Sequence, residues 1–194
     1  MDLTDSRRLT GPSLILDQPG AAAELAVADD VKDRATALWT THVRALLDAV
    51  GWSGSVIATR PYHGGATLAI TAPLDGLYAA TEIVEAAWEE TRALLHGQTP
   101  PDADTVLARL TQEIDEESHP ALLTLSQAAK ARGLSCLIDD DHMTLGRGVS
   151  GQSWPRRALP SPDDVNWDNI ADIPVALVTG TNGKSTTTAL LTHV

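Results

Sequence analysis

Residues 175–188 decide the fold expected at the end of this chain, and they read VALVTGTNGKSTTT. An apolar run at 175–178 comes first, a glycine loop follows it, and the helix-forming residues Ala189, Leu190 and Leu191 come next. A short apolar run of this kind is typical of a buried strand. The order of strand, glycine loop and helix start is typical of a phosphate-binding site in an α/β domain.

The residues of the loop suit an anionic ligand. Gly180 and Gly183 allow the backbone to turn tightly and to approach an anion closely. The N–H groups of the loop and of the following first helical turn lack intrahelical partners, so they can donate to phosphate oxygens. Lys184 supplies a positive charge for the β- and γ-phosphates, and the Ser185 hydroxyl can ligate Mg²⁺. The pattern therefore favours a nucleotide site over a chance glycine turn.

The loop departs at one position from the general phosphate-loop pattern, which has glycine five places before the glycine of Gly-Lys. Val178 occupies that position here. The shorter form, Gly-Thr-Asn-Gly-Lys-Ser, resembles the nucleotide-binding loop of the Mur ligase family, which includes folylpolyglutamate synthetases. The likeness covers about the last twenty residues and is specific.

A second, weaker resemblance covers the rest of the chain. The run from Arg8 to Pro12, Arg-Leu-Thr-Gly-Pro, is similar to an Arg-x-x-Gly-Pro element in the N-terminal domain of cyanophycin synthetases. Ser13 stands where an asparagine usually follows that element. Residues 123–148 look like the passage from that domain toward an ATP-grasp module. Because a short linker leads from there to the Mur-type loop, the ATP-grasp module is expected to be absent.

The resemblance implies an ATP-dependent ligase that joins a carboxylate to an amine through an acyl phosphate. Its cofactors would be ATP and Mg²⁺, and its substrates would be small-molecule or peptide carboxylates and amines. Ser185 would be the Mg²⁺ ligand, and no catalytic residue is expected in this chain beyond the phosphate site. The residues implied to bind the nucleotide are Gly180, Thr181, Asn182, Gly183, Lys184, Ser185 and Thr186.

Three segments are expected along the chain. Residues 1–150 are predicted to form an α+β N-terminal domain, with a small sheet against several helices. Residues 151–172, rich in Gly, Pro, Ser and Asp, are predicted to be a linker. Residues 173–194 would be the first strand, phosphate loop and helix start of an α/β ATP-binding domain. We therefore expect a fragment of a longer ligase, inactive by itself.

Hydrophobic spacing predicts the elements of the first segment. Apolar residues recur every three or four positions in four predicted helices, at about 29–50, 75–95, 104–117 and 120–133. A hairpin is predicted from strands at 55–59 and 67–71, and two short strands are predicted at 135–138 and 142–145. Residues 1–28 are predicted to be a loop that carries one short strand at 14–16.

Composition excludes several functional classes. The formal net charge of −12 argues against nonspecific binding to nucleic acid or to anionic membranes. No run of about 18 apolar residues is present, and the N-terminus lacks the features of a signal peptide. We expect a soluble cytoplasmic protein, with an oligomer possible but not indicated.

Four arginine and histidine side chains elsewhere in the chain are weaker candidates. His63 could help bind a substrate at the hairpin tip, but an exposed turn residue is the favoured interpretation. Arg7, Arg8 and Arg60 could hold a carboxylate, because the guanidinium fork suits that group. Surface solvation or an ordinary ion pair is favoured for these arginines.

Metal and thiol chemistry have simpler explanations as well. The acidic residues at 113–117 and 139–141 are interpreted as a solvated helix end and a tight turn. The six histidines form no zinc-ligand pattern. Cys136, the single cysteine, lies in an apolar run and is expected to be buried and inert.

Two other functions remain open besides the ligase. The N-terminal domain could be a non-catalytic module that binds a substrate or partner. The chain could also belong to another class of phosphate-loop phosphotransferase or GTPase, which the short loop and the upstream domain disfavour.

Overall fold

The structure is a computed structural model that describes residues 1–192. Within these residues, five α-helices and two antiparallel sheets confirm the predicted mixture of α and β structure. The chain divides into two compact units, residues 1–127 (unit 1) and residues 128–194 (unit 2). No helix of residues 1–192 has both the length and the apolar character needed to span a bilayer.

Unit 1 is built on a four-stranded sheet whose neighbouring strands are all antiparallel, in the order β1-β2-β4-β3. Two helices, α1 and α2, pack against one face of this sheet. The fourth helix crosses the boundary between the two units. The elements are β1 (Asp2–Leu9), β2 (Gly20–Ala26), α1 (Asp29–Ala49), β3 (Ile57–Tyr62), β4 (Gly65–Thr71), α2 (Leu77–Leu95), α3 (Ala103–Glu117) and α4 (Pro120–Ala131).

The prediction of a loop with one strand at 14–16 was wrong for the start of the chain. Strands β1 and β2 occupy most of this region, and residues 14–16 lie in the connection between them. Leu16 is nevertheless 3% exposed, because it packs against Ala22 and Ala69 on the sheet. Alanine has low strand propensity, so β2 is a strand because it pairs with β1 on one side and with β4 on the other.

The core of unit 1 lies between the sheet and helices α1 and α2. Residues spaced four apart on α1 (Ala35, Trp39, Val43 and Leu47) are fully buried, as the predicted helical stripe requires. The indole N–H of Trp39 donates to the backbone oxygen of Val84 at 3.2 Å, which joins the two helices. The strand residues facing this core are Ala21, Ala23, Leu25, Ala66, Leu68 and Ile70.

Carboxylates satisfy the exposed N–H groups at two helix starts. Glu117, at the end of α3, accepts hydrogen bonds from the backbone N–H groups of Tyr78 at 2.9 Å and Ala79 at 3.0 Å. Asp102 accepts from the N–H of Thr105 at 2.9 Å and caps α3. These bonds remove unpaired donors, and the first also fixes the end of α3 to the start of α2.

Asp29 connects the start of α1 to the turn between β3 and β4. Its carboxylate accepts from the Lys32 ammonium at 2.7 Å and from the N–H of Gly64 at 3.0 Å. The ring of His63 lies 2.7 Å away. The bond to Lys32, followed by the bond to Gly64, lowers the pKa of Asp29 to about 2.

We expect unit 1 to lose stability in acid through Asp29. A lowered pKa in the folded state stabilises the fold above the ordinary aspartate pKa of 3.8, and this contribution is lost as the pH falls toward about 2. Urea unfolding at a series of pH values should therefore show a steeper loss between pH 4 and pH 2 in the natural protein than in Asp29→Asn. Asp33→Asn, at an exposed position on the same helix, serves as the control. Parallel pH curves for the natural protein and Asp29→Asn would contradict the assignment.

Unit 2 contains a three-stranded antiparallel sheet and one further helix. The two strands predicted at 135–138 and 142–145 are present, and Met143 and Leu145 are fully buried. The predicted linker also contains a strand, because Trp154 pairs with Met143. Val165 and Ile170 of the same segment are buried, so part of it packs. The elements are β5 (Cys136–Ile138), β6 (His142–Leu145), β7 (Gln152–Pro155) and α5 (Lys184–Leu191).

The buried strand predicted at residues 175–178 is not present. This segment has no regular secondary structure, and Leu177 is 92% exposed. A strand requires a neighbour to accept and donate its backbone hydrogen bonds, and the described residues place no strand beside this one. The predicted helix start is present, because α5 begins at Lys184.

Candidate functional site

The chain leading to the glycine loop is held by Asp172. The carboxylate of Asp172 accepts from the backbone N–H of Ser135 at 2.9 Å and from its hydroxyl at 2.7 Å. The N–H of Arg147 donates to the oxygen of Ala171 at 3.0 Å, beside this contact. The Ile173 side chain lies against Gly148. The segment that carries the candidate site therefore leaves the packed part of unit 2 just after Ile173.

Two glycines shape the loop. Gly180 has a φ of 147° and Gly183 has a φ of 80°. Residues other than glycine rarely adopt these backbone angles. Gly183 is the N-cap of α5, so the left-handed turn directs the chain into the helix at Lys184. The sequence pattern predicted both the turn and this helix start. The positive φ at the two positions explains why glycine is required there.

The first turn of α5 has unpaired backbone donors. No side chain caps it, and its first intrahelical bond runs from the N–H of Thr187 to the oxygen of Gly183 at 2.9 Å. The N–H groups of residues 184–186 precede that bond and have no intrahelical acceptor. Unlike α2 and α3, this helix therefore presents its positive end to solvent.

The side chains of the loop segment are all exposed. The Lys184 ammonium folds back and donates to the backbone oxygen of Gly180, so its charge lies over the loop. Ser185 and Thr186 follow on the first helical turn. Within residues 1–192, no three His, Cys, Asp or Glu side chains are grouped closely enough to hold a metal ion.

Three of the four arginine and histidine candidates of unit 1, namely His63, Arg7 and Arg8, have partners of ordinary kinds. His63 is 97% exposed and pairs with Asp29, as expected of a turn residue. Arg7 donates to Glu24 at 2.8 Å and pairs with Asp5, and these bonds raise its pKa. The guanidinium of Arg8 lies 3.7 Å from the centre of the Tyr78 ring. Arg60 is exposed and lines a shallow groove on the outer face of the sheet together with Arg7.

The acidic groups take part in ordinary contacts, and Cys136, which was expected to be buried, is only partly buried. Glu113 pairs with Arg109 at 3.0 Å on the helix surface, while Glu117 caps α2. The Asp139 carboxylate accepts hydrogen bonds from the backbone N–H groups of His142 and Asp141, and these bonds lower its pKa. Burial raises the pKa of the Cys136 thiol to about 11, so the reactive thiolate is scarce at neutral pH.

One site in unit 1 was not predicted from the sequence. A groove of about 530 Å³ lies between β1 and α2. Its wall on the helix consists of Glu85, Trp88, Glu89 and Arg92, which share one face by their helical spacing. The helical spacing of these four residues was visible in the sequence. Because β1 was not predicted, the strand that forms the other side of the groove could not be foreseen.

Comparison with known proteins assigns no family to the chain. No protein-family model matches it, and no curated protein matches it either.

Proposed function

We propose that residues 180–186 bind the phosphates of Mg-ATP as the phosphate loop of an ATP-dependent carboxylate–amine ligase of the Mur ligase type. One observation carries the proposal. An uncapped helix begins after a left-handed Gly183, and the Lys184 ammonium at its start donates to the Gly180 oxygen of the same loop. This combination of aligned donors and a mobile cation suits the phosphates of a nucleotide.

The lysine contact suggests how the loop would change on binding. The Lys184 ammonium donates to the backbone oxygen of Gly180. A phosphate oxygen carries more negative charge than a backbone carbonyl, so it would compete well for the same ammonium. Lys184 would then exchange one acceptor for another while its backbone stays in place.

The residues present fit magnesium as it is commonly held at phosphate sites. Mg²⁺ keeps several water ligands and takes few protein ligands, the remainder coming from phosphate oxygens. The Ser185 hydroxyl, on the first turn of α5 and exposed, would supply one such ligand. The ion would neutralise charge on the transferring phosphoryl group.

The proposed reaction has two steps. A carboxylate oxygen of one substrate attacks the γ-phosphorus of ATP, which gives an acyl phosphate and ADP. The nitrogen of an amine then attacks the acyl carbon, inorganic phosphate leaves, and an amide forms with release of a proton. Residues 180–186 would act in the first step, by positioning the phosphates and stabilising their charge. A soluble, cytoplasmic location is part of the proposal, because such a ligase depends on ATP.

Replacing Lys184 by alanine should weaken ATP binding. A hydrogen bond to a charged group contributes about 1.5–3 kcal/mol, so the dissociation constant should rise by about tenfold or more. Isothermal titration of the 194-residue protein with Mg-ATP measures this change. Lys130→Ala removes an exposed lysine of α4 and is the matched control, for which unchanged binding is expected.

Two further titrations separate the roles of the loop residues. Ser185→Ala should weaken binding of Mg-ATP but leave the binding of magnesium-free ATP unchanged, whereas Lys184→Ala should weaken both. GTP in place of ATP tests the alternative of a GTPase, which tighter binding of GTP would favour. Equal affinity of the natural protein and Lys184→Ala, or no binding of Mg-ATP by the natural protein, would refute the proposal.

A further inference from the structure

Strand β1 forms one edge of the four-stranded sheet of unit 1. In the order β1-β2-β4-β3, no strand of residues 1–192 pairs with the other edge of β1. Along that edge, alternate backbone N–H and C=O groups point away from β2 and remain available for hydrogen bonds. Such an edge can accept one more strand from another polypeptide.

The opposite edge of the sheet differs from this one. Strand β3 contains Pro61, which has no N–H to donate and hinders pairing along that edge. Strand β1 contains no proline and extends over eight residues. A bulge between Leu3 and Asp5 interrupts its pairing with β2. From Asp5 to Leu9 the pairing is regular, so of the two edges of this sheet the β1 edge is the one that no proline blocks.

The groove described above lies along this open edge. Five consecutive residues of β1, from Asp2 to Ser6, line one side of it. Consecutive residues of a strand point to opposite faces, so a wall formed by all five follows the backbone edge. The buried hydroxyl of Ser6 has no hydrogen-bond partner among the described residues. A wall of five consecutive strand residues suits an extended chain.

The charge of the groove identifies the chemistry of its occupant. Asp2, Asp5, Glu85 and Glu89 line it, and among the lining residues only Arg92 is basic. Arg7 pairs with Asp5 and the N-terminal ammonium lies 4.0 Å from the Asp2 carboxylate, so the charge left uncompensated is that of the two carboxylates on α2. Glu85 and Glu89 are four residues apart on α2, a spacing at which like charges repel. No hydrogen bond or ion pair to their side chains is present in the described part of the chain. A cationic ligand would relieve this repulsion.

We propose that an extended basic segment of a partner protein binds in this groove and adds a fifth strand to the sheet beside β1. Main-chain hydrogen bonds to β1 provide part of the affinity, as in other cases of strand addition. Alternate lysine or arginine side chains of the segment lie on the same side and reach the carboxylates of α2. This site is independent of the glycine loop and of the proposed ligase activity.

The probe is an acetylated, amidated octapeptide of alternating arginine and threonine, because threonine favours the extended conformation. Fluorescence anisotropy of the labelled peptide, titrated with the 194-residue protein at low salt, should show saturable binding. A matched peptide with glutamate in place of arginine should not bind. Added salt should weaken binding, because the contribution of the exposed carboxylates is screened.

A double variant tests the carboxylates. Glu85→Gln with Glu89→Gln removes two charges without changing side-chain size, and it should weaken peptide binding about five- to tenfold. The control is Asp33→Asn with Asp115→Asn, which removes two exposed carboxylates that do not line the groove. An unchanged melting temperature for both variants establishes that they fold.

Hydrogen exchange distinguishes strand addition from simple charge attraction. If the peptide adds a strand, the amides of β1 (Asp2–Leu9) that point away from β2 should exchange more slowly in its presence. Spermine, a cation without a backbone, should bind the carboxylates and leave these amides unprotected. The proposal fails if the peptide binds without protecting β1, or if both double variants bind it equally. It also fails if neither peptide binds, which would mean that the charges only prevent strand pairing at this edge.

Discussion

Replacing Gly20 by alanine is expected to disrupt the pairing of β2 with β4. A Cβ atom at this position would lie 1.9 Å from the backbone oxygen of Ile70 and 2.9 Å from the Cα of Thr71. Both atoms belong to β4, so no side-chain rotation can relieve the contact. The strands would have to separate locally, with the loss of ladder hydrogen bonds and of packing in the core. We expect a cost of about 3 kcal/mol or more in the free energy of unfolding.

Urea unfolding followed by circular dichroism measures this cost. Gly54→Ala is the matched control, because a Cβ atom there would have no heavy atom within 4 Å and Gly54 has no positive φ. The control should leave the free energy of unfolding within about 0.5 kcal/mol of the natural value. Equal stability of the two variants would mean that β2 and β4 do not approach each other as described.

Helices α1, α2 and α3 could be predicted closely from the sequence. Each shows an apolar stripe at helical spacing, and their ends follow local signals such as the Asp102 cap and the glycine after α2. These signals lie within a few residues of one another. They survive in the structure because tertiary packing uses the same stripes, as the burial of Trp39 and Val84 shows.

Strands β1 and β2 could not be predicted in this way. The sequence of β2, Gly-Ala-Ala-Ala-Glu-Leu-Ala, carries little strand propensity and no clear alternation. Both of its faces are covered, by helices on one side and by Leu16 on the other. The small side chains suit that position, but the position itself is created by contacts with β4, more than forty residues away.

The two candidate sites also differ in how far the sequence alone reveals them. The glycine loop is continuous in sequence, so its glycines, Lys184 and Ser185 could be recognised as one unit. The hydrogen bond from the Lys184 ammonium to the Gly180 oxygen depends on the fold of the loop and was not predicted. The β1 groove joins residues about eighty positions apart, such as Asp5 and Glu85. No local pattern contains that information, because it arises only when α2 packs beside β1.

Trp39→Ala should produce the largest loss of stability among the core positions. The side chain is 0% exposed and is the largest of the fully buried ones. Its removal leaves a cavity between α1, α2 and the sheet, and such truncations of buried aromatic residues cost about 3–5 kcal/mol. Urea unfolding measured by circular dichroism tests this, since both helices contribute to the signal. Ala37→Gly, at an exposed position of the same helix, should cost only about 1 kcal/mol.

A second variant separates packing from hydrogen bonding at this position. Trp39→Phe keeps an aromatic ring in the core but removes the indole N–H that donates to the Val84 oxygen. A neutral hydrogen bond contributes about 0.5–1.5 kcal/mol, and the smaller ring adds a modest packing loss. The phenylalanine variant should therefore retain most of the stability that the alanine variant loses. If both variants lose the same amount, the indole bond between α1 and α2 dominates; if Trp39→Ala loses under about 1 kcal/mol, the burial described for this side chain is incorrect.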